Sequence, residues 1–343
     1  MKEIREDPRG CLPVAAAERK CRVRQEDGRL YDPETGRPLH GMVIGDRYEL
    51  IGEIGRGGSC ICYHAFDRER KVFVAVKEWF PLAWAREGFL ERRGNTLGLT
   101  TRGKAFEENV RESFEKDFDH EAEMSKNQRY ADEEGWENND PNVLVAELLR
   151  TGTWTQYLVM AREAGEPLSR VRFGGGTPEE RLADILETGA QIASRLEWLH
   201  SEKGMIHCDI KPENIYVSTL NSGEAGKISR HILRLIDYGS GFPLTDGHVE
   251  SEHVTHLSCS PNYSPPELLA LRERDRWEEA VKQLSPATDV YSALRVLLEF
   301  LTPGVDPEER SSSDLWDSPF LKHLPEPVVE RFCDFFESAL SIK

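Results

Sequence analysis

Between two apolar runs, the stretch Met205-Ile206-His207-Cys208-Asp209-Ile210-Lys211-Pro212-Glu213-Asn214-Ile215 sets an aspartate at 209, a lysine at 211 and an asparagine at 214. Phosphoryl transfer calls for these side chains: a carboxylate to take the proton of an incoming hydroxyl, a cation beside the moving phosphate, and an oxygen ligand for Mg²⁺. One short loop supplies all three. Taken alone, the spacing also fits a chance occurrence or a small-molecule phosphotransferase, so the rest of the chain has to decide.

Four other stretches carry compatible chemistry. Gly55-Arg56-Gly57-Gly58-Ser59-Cys60-Ile61-Cys62 lies between two expected strands, where glycines let backbone N–H groups approach anionic oxygens. Val74-Ala75-Val76-Lys77 closes a strand on a lysine with apolar neighbours, suited to the α- and β-phosphates of a nucleotide. Leu233-Arg234-Leu235-Ile236-Asp237-Tyr238-Gly239 ends an apolar strand on an aspartate, a natural second Mg²⁺ ligand beside Asn214. Ser260-Pro261-Asn262-Tyr263-Ser264-Pro265-Pro266-Glu267 and Thr288-Asp289-Val290-Tyr291-Ser292-Ala293-Leu294 follow.

The elements that must hold these residues change character along the chain. Residues 1–45 are polar and turn-rich and are expected to form an extension. Tyr48–Ile54, Ile61–Phe66 and Val72–Val76 read as an antiparallel meander. Phe80–Thr101 reads as irregular, and Lys104–Gln128 as a helix with Phe106, Val110, Phe114, Phe118 and Ala122 on one face. Val143–Leu149 and Thr155–Met160 are two more expected strands. Beyond Met160 the chain is mainly helical. Thr177-Pro178-Glu179-Glu180 is a capping-box start for a helix to about Ser201, with Leu182, Ile185, Leu186, Ile192, Ala193, Leu196 and Leu199 inward. Gly189 on that face leaves room for a close neighbour. Ala287–Leu301 and Val328–Leu340 are further apolar helices.

In their order and spacing these motifs resemble those of eukaryotic-type serine/threonine protein kinases, from about Tyr48 to Leu340; Glu78-Trp79-Phe80-Pro81 is similar to bacterial members. The resemblance implies an α+β, two-lobed kinase fold, with a small β-rich N-lobe carrying one main helix (46–161) and a larger, mainly helical C-lobe (162–343). It implies ATP and Mg²⁺ as cofactors and a protein Ser/Thr hydroxyl as acceptor, with autophosphorylation a further candidate. By position, Asp209 resembles the catalytic base, Lys211 the lysine beside the transferred phosphate, and Lys77 the phosphate anchor. Asn214 and Asp237 match the metal ligands. Ile54, Gly55, Arg56, Gly57, Gly58, Ser59, Cys60 and Cys62 would cover the nucleotide. Ala75, the gatekeeper candidate Met160, and backbone groups of Ala161 and Glu163 would meet adenine. Ser260 occupies a position from which a hydroxyl reaches Asp209 and Lys211, and Asp289 resembles the buried aspartate beneath the catalytic loop. Phe118-Asp119-His120-Glu121-Ala122-Glu123 nominates Glu121 as the partner of Lys77, with Glu123 and Glu115 as alternatives.

Four positions depart from the family pattern. Cys60 stands for the third loop glycine, and Tyr238 for the phenylalanine after the metal-binding aspartate. Cys208 stands for the arginine that usually grips a phosphorylated activation loop, so activation is expected not to depend on phosphate at Thr255 or Ser258. The sequence also stops at Ser341-Ile342-Lys343, before the arginine that usually pairs with the closing glutamate, here Glu267.

The bulk numbers fit this reading. The chain has 343 residues, 38% hydrophobic and 31% charged, with net charge −17, which argues against nucleic acid or an anionic membrane as main partner. Seven scattered cysteines form no CxxC pair and fit a reducing cytoplasm. No apolar run approaches the length of a membrane span. Three function classes follow: an active protein kinase, a nucleotide-binding pseudokinase scaffold that regulates a partner protein, and a small-molecule phosphotransferase, against which Gly239, Pro265-Pro266-Glu267 and Asp289 speak. The second would have been favoured by loss of Lys77, Asp209 or Asp237, all of which are present.

Overall fold

The computed structural model describes residues 30–31, 38–39, 43–56, 60–80, 85–93, 96–105, 146–150, 156–162, 165–171, 176–220, 230–249, 260–270 and 281–341. The chain divides into two compact units, Met1–Ala164 and Gly165–Lys343. The first is built on an antiparallel sheet and the second mainly on helices, the α+β class expected from the sequence.

In the first unit, β1 (Leu30–Tyr31) pairs with β2 (Pro38–Leu39). The main sheet has six strands in the order β3 (Val43–Ile44), β4 (Tyr48–Arg56), β5 (Cys60–Asp67), β6 (Val72–Trp79), β10 (Gln156–Ala161), β9 (Ala146–Arg150). Period-two alternation sends Ile61, Tyr63, Ala65, Val74, Val76, Tyr157 and Val159 into one buried core. Phe80–Thr101, expected to be irregular, instead holds a hairpin of β7 (Leu90–Arg93) and β8 (Thr96–Leu99). Its buried ends, Leu90 and Leu99, pack with Phe80 and Ala85. A short helix α1 (Thr101–Lys104) follows. Of the helix expected at Lys104–Gln128, Lys104 ends α1 and Ala105 caps it, while residues 106–128 lie outside the described residues.

A partly buried ion pair ties the turn before β4 to the end of β5. Asp67, 0% exposed, accepts Arg47 Nε at 2.9 Å and Nη2 at 2.7 Å, and the backbone N–H groups of Glu69 and Arg70. Burial alone would raise the Asp67 carboxyl, but the bonds from Arg47 and the two N–H groups outweigh it and hold it below the usual range. Asp67→Ala is expected to cost about 3 kcal/mol, read as a shift in the urea midpoint, because the Arg47 guanidinium and two backbone N–H groups lose this acceptor, with Glu69 still 3.1 Å from Arg47. The carboxylate's contribution is fully present above its unfolded value of about pH 4 and is lost as pH falls through the lower folded value.

In the second unit, helix α2 (Pro178–Ser201) begins at the expected capping box: Glu180 N donates to Thr177 Oγ1 at 3.3 Å, and Thr177 N donates to Glu180 Oε2 at 2.8 Å. Its buried row is Leu182, Ile185, Thr188, Ile192, Leu196 and Leu199. Leu186 and Ala193, expected inward, are exposed; each sits one residue past a member of that row, turned about 100° around the helix. After the short helix α3 (Pro266–Ala270), helix α4 (Pro286–Leu301) packs on α2, and α5 (Glu326–Leu340) packs on α4. Gly189 admits the close approach: a Cβ there would sit 2.8 Å from Leu297 Cδ1. Among the described residues no helix is long and apolar enough to cross a membrane.

Candidate active site

The loop that carries Asp209, Lys211 and Asn214 runs from β12 (Met205–Ile206), through a 3₁₀ turn at Pro212–Asn214, into β13 (Ile215–Leu220). β12 is held by β15 (Phe242–Pro243), and β13 lies between β11 (Glu166–Pro167) and β14 (Arg230–Leu235), pairing with β14 in the register Ile215↔Leu235. That register sets Asn214 opposite Ile236, and Ile236 N donates to Asn214 O at 2.9 Å. The two residues expected to share a cation, Asn214 and Asp237, are thus brought together by one hairpin ladder. Asp237 has left-handed backbone, φ 65° and ψ 65°. Gly241 then lets the chain pass β12, since a Cβ there would lie 2.8 Å from Ile206 O.

Asp209 is 5% exposed and both of its oxygens are engaged. Oδ2 accepts Lys211 Nζ at 2.7 Å and Asn214 Nδ2 at 3.0 Å, and Oδ1 accepts Ser260 Oγ at 2.9 Å. Lys211 Nζ also donates to Ser260 Oγ at 3.1 Å. Asn214 Nδ2 donates in addition to Asp209 O at 2.8 Å. Asp209, Lys211, Asn214 and Ser260 therefore form one hydrogen-bonded cluster.

Helix α4 supports this cluster from two sides. In its first turn Asp289, 0% exposed, accepts His207 N at 2.7 Å and Cys208 N at 2.8 Å, while His200 Nε2 lies 2.8 Å from the same carboxylate. Cys208 thereby keeps a left-handed backbone, φ 61°, that a residue with a Cβ rarely adopts. Farther along α4, Arg295 Nε donates to Asn262 O at 3.0 Å, and Glu299 accepts Tyr263 Oη at 2.6 Å. Burial first, and then that bond, push the Tyr263 phenol well up, so it stays a donor. The turn is closed by Ser264, whose Oγ accepts Ser260 N at 3.0 Å.

Like His200, Arg295 and Glu299, His207 was missed in the sequence. His207, 0% exposed, accepts Asp209 N on Nδ1 at 3.3 Å and lies 3.0 Å from Ile236 O through Nε2. This pattern puts the proton on Nε2 and joins the backbone of Asp209 to the residue before Asp237. A polar ring inside an otherwise apolar run was the available signal.

In the first unit, cross-strand pairing places several expected nucleotide contacts on one face. Gly55 pairs with Cys62 and Cys62 with Lys77, and Ala75 pairs with Met160. Directly paired residues share a face, and rows two residues apart share it too. Among the described residues nothing lies within 4 Å of where a Gly55 Cβ would be. Ile54 is the extra residue of a bulge and is 41% exposed. Arg56 falls on the opposite face, its Nη2 2.9 Å from Glu53 Oε2 and its guanidinium 5.7 Å from the Phe80 ring. Cys60 is buried, and Ala161 ends β10 opposite Val74. Gly57, Gly58, Ser59, Glu163 and all three candidate partners of Lys77 (Glu115, Glu121, Glu123) lie outside the described residues.

The sequence pattern of the family described as "Protein kinase domain" matches residues 120–315, more than half of the chain. The chain belongs to the protein kinase family. A "Probable serine/threonine-protein kinase" of Clostridium perfringens is 28% identical over 293 residues, covering 84% of this chain and 33% of that protein. The human serine/threonine-protein kinase ULK3 is 33% identical over 181 residues, covering 52% of this chain and 33% of that one. A solved kinase domain aligns with a TM-score of 0.48 at 16% identity, covering 89% of this chain and 92% of that one. The chain spans about a third of the length of these two curated relatives.

Proposed function

We propose that this kinase transfers the γ-phosphate of ATP to Ser or Thr hydroxyls of protein substrates. The observation that carries the reading is the Asp209 carboxylate, fixed by Lys211, Asn214 and Ser260. Oδ1 accepts only Ser260 Oγ among the described residues, which leaves a lone pair for an incoming hydroxyl. Asp209 takes that proton as the hydroxyl oxygen bonds to the γ-phosphorus; the bond from phosphorus to the β–γ bridging oxygen breaks, and ADP leaves. Lys211 neutralises the moving phosphoryl group, and Lys77 anchors the α- and β-phosphates.

A hard cation suits the donor set. Asn214 spends its amide N–H₂ on Asp209, and its amide oxygen accepts no hydrogen bond among the described residues. Asn214 and Asp237 would hold Mg²⁺, with phosphates and water completing its shell; no group of three His, Cys, Asp or Glu among the described residues competes. Bound there, the ion neutralises charge on the phosphate oxygens.

Activity is proposed to be independent of phosphate at Thr255 or Ser258, which lie outside the described residues. Cys208, 1% exposed, packs with Ile206, Phe242, Val249, Leu268, Val281 and Leu284, so the cluster at this position is apolar rather than cationic. The reading is tested by incubating the chain with ATP, Mg²⁺ and casein or histone and mapping phosphosites by mass spectrometry. Phosphoserine or phosphothreonine, unchanged in rate after phosphatase pretreatment of the chain, is the expected outcome. Transfer only to a small-molecule hydroxyl, or binding of ATP without transfer, would refute it.

A further inference from the structure

Glu78 follows Lys77 on β6 and is fully buried, 0% exposed. It accepts Tyr63 Oη at 2.8 Å and Tyr157 Oη at 3.1 Å. Tyr63 is on β5 and Tyr157 on β10, the strands flanking β6 on its two sides. Both tyrosines are 2% exposed or less and belong to the apolar core of the sheet. The reaction proposed above uses none of the three.

A carboxylate in such surroundings is costly, and an apolar side chain would fill the place at less expense. What it adds is direction. Successive residues of a strand leave opposite faces, so clamping the strand at 78 sets how residue 77 leaves the other face. A slip of one residue would bury the lysine and expose the core. Hydrogen bonds from both neighbouring strands oppose that slip where it matters, one residue from Lys77.

The geometry points to Glu78 as the positioning residue for Lys77: held between Tyr63 and Tyr157, it keeps β6 in the register and rotation that present the lysine to nucleotide phosphates. The inference rests on the assignment of Lys77 to those phosphates.

A double-mutant cycle on the 343-residue chain tests it, read by titration with a fluorescent ATP analogue and Mg²⁺ and by thermal midpoints. Glu78→Leu is expected to weaken binding about tenfold when Lys77 is present and less than about twofold in the Lys77→Met background, the non-additivity of a residue acting through another. Glu78→Gln, which keeps an acceptor for one tyrosine, is expected to stay within about threefold of the parent. Equal losses in both backgrounds would show that Glu78 supports the sheet in general and would overturn the inference while leaving Lys77 in place. No loss with Lys77 present would overturn it as well. If Lys77→Met alone leaves affinity unchanged, the phosphate role of Lys77 fails and Glu78's role falls with it. Should Glu78→Leu not fold, Tyr63→Phe with Tyr157→Phe runs the same comparison, with the same outcomes deciding.

Discussion

Asparagine in place of Asp209 is expected to cut turnover about a thousandfold while nucleotide affinity stays within about twofold, the loss of a general base without loss of a binding group. The substitution is close to isosteric. Its amide oxygen still accepts Lys211 Nζ and Asn214 Nδ2, now 2.7 and 3.0 Å from Oδ2, and its amide nitrogen can donate to Ser260 Oγ, whose hydroxyl turns to accept. The cluster therefore survives, but no group remains to take the hydroxyl proton. A thousandfold is about 4 kcal/mol of barrier, far more than any of these hydrogen bonds contributes to folding. Steady-state kinetics with a peptide acceptor and a separate nucleotide titration make the measurement. Turnover within tenfold of the parent would remove Asp209 from its role.

Asp289→Ala is expected to act through structure and to be as damaging. The carboxylate serves His207 N, Cys208 N and His200, and is itself 0% exposed. Alanine strands two buried backbone N–H groups and opens a small cavity, a loss of about 4 kcal/mol. At 2–4 °C per kcal/mol for a unit of this size, the melting midpoint should fall by roughly 10 °C. Activity should also fall well below the parent at temperatures where the variant is still folded. With Asp289 gone, the left-handed backbone of Cys208, φ 61°, loses the acceptor that holds its N–H and that of His207, and the neighbouring Asp209 moves out of line. Asp289→Asn, which keeps one acceptor oxygen, should fall between the two. A variant that melts normally and works normally would show that the loop holds itself.

Local signals gave the first layer of this protein. The capping box at Thr177, the period-two strands around Lys77 and the notch at Gly189 are written in short stretches, and the structure has each of them. Where local pattern misled, a distant contact had overruled it. The hairpin at Leu90–Leu99 is made largely of charged and polar residues, and its apolar ends count only because Phe80 and Ala85 pack on them. Leu186 and Ala193 are apolar yet exposed, because the stripe that α2 buries is set by its packing on α4 rather than by composition.

The candidate site divides in the same way. Residue types and intervals alone marked Asp209, Lys211 and Asn214 as a group suited to phosphoryl transfer, since five residues of chain cannot carry them far apart. Nothing in that stretch required Ser260 to lie 2.9 Å from Asp209, Asp289 to hold the loop by its backbone, or Glu78 to sit buried under two tyrosine hydroxyls. Those contacts join residues from 15 to 82 positions apart. A hydrogen bond needs its partners within about 3 Å, and only the packing of helices and the register of strands bring such remote groups that close.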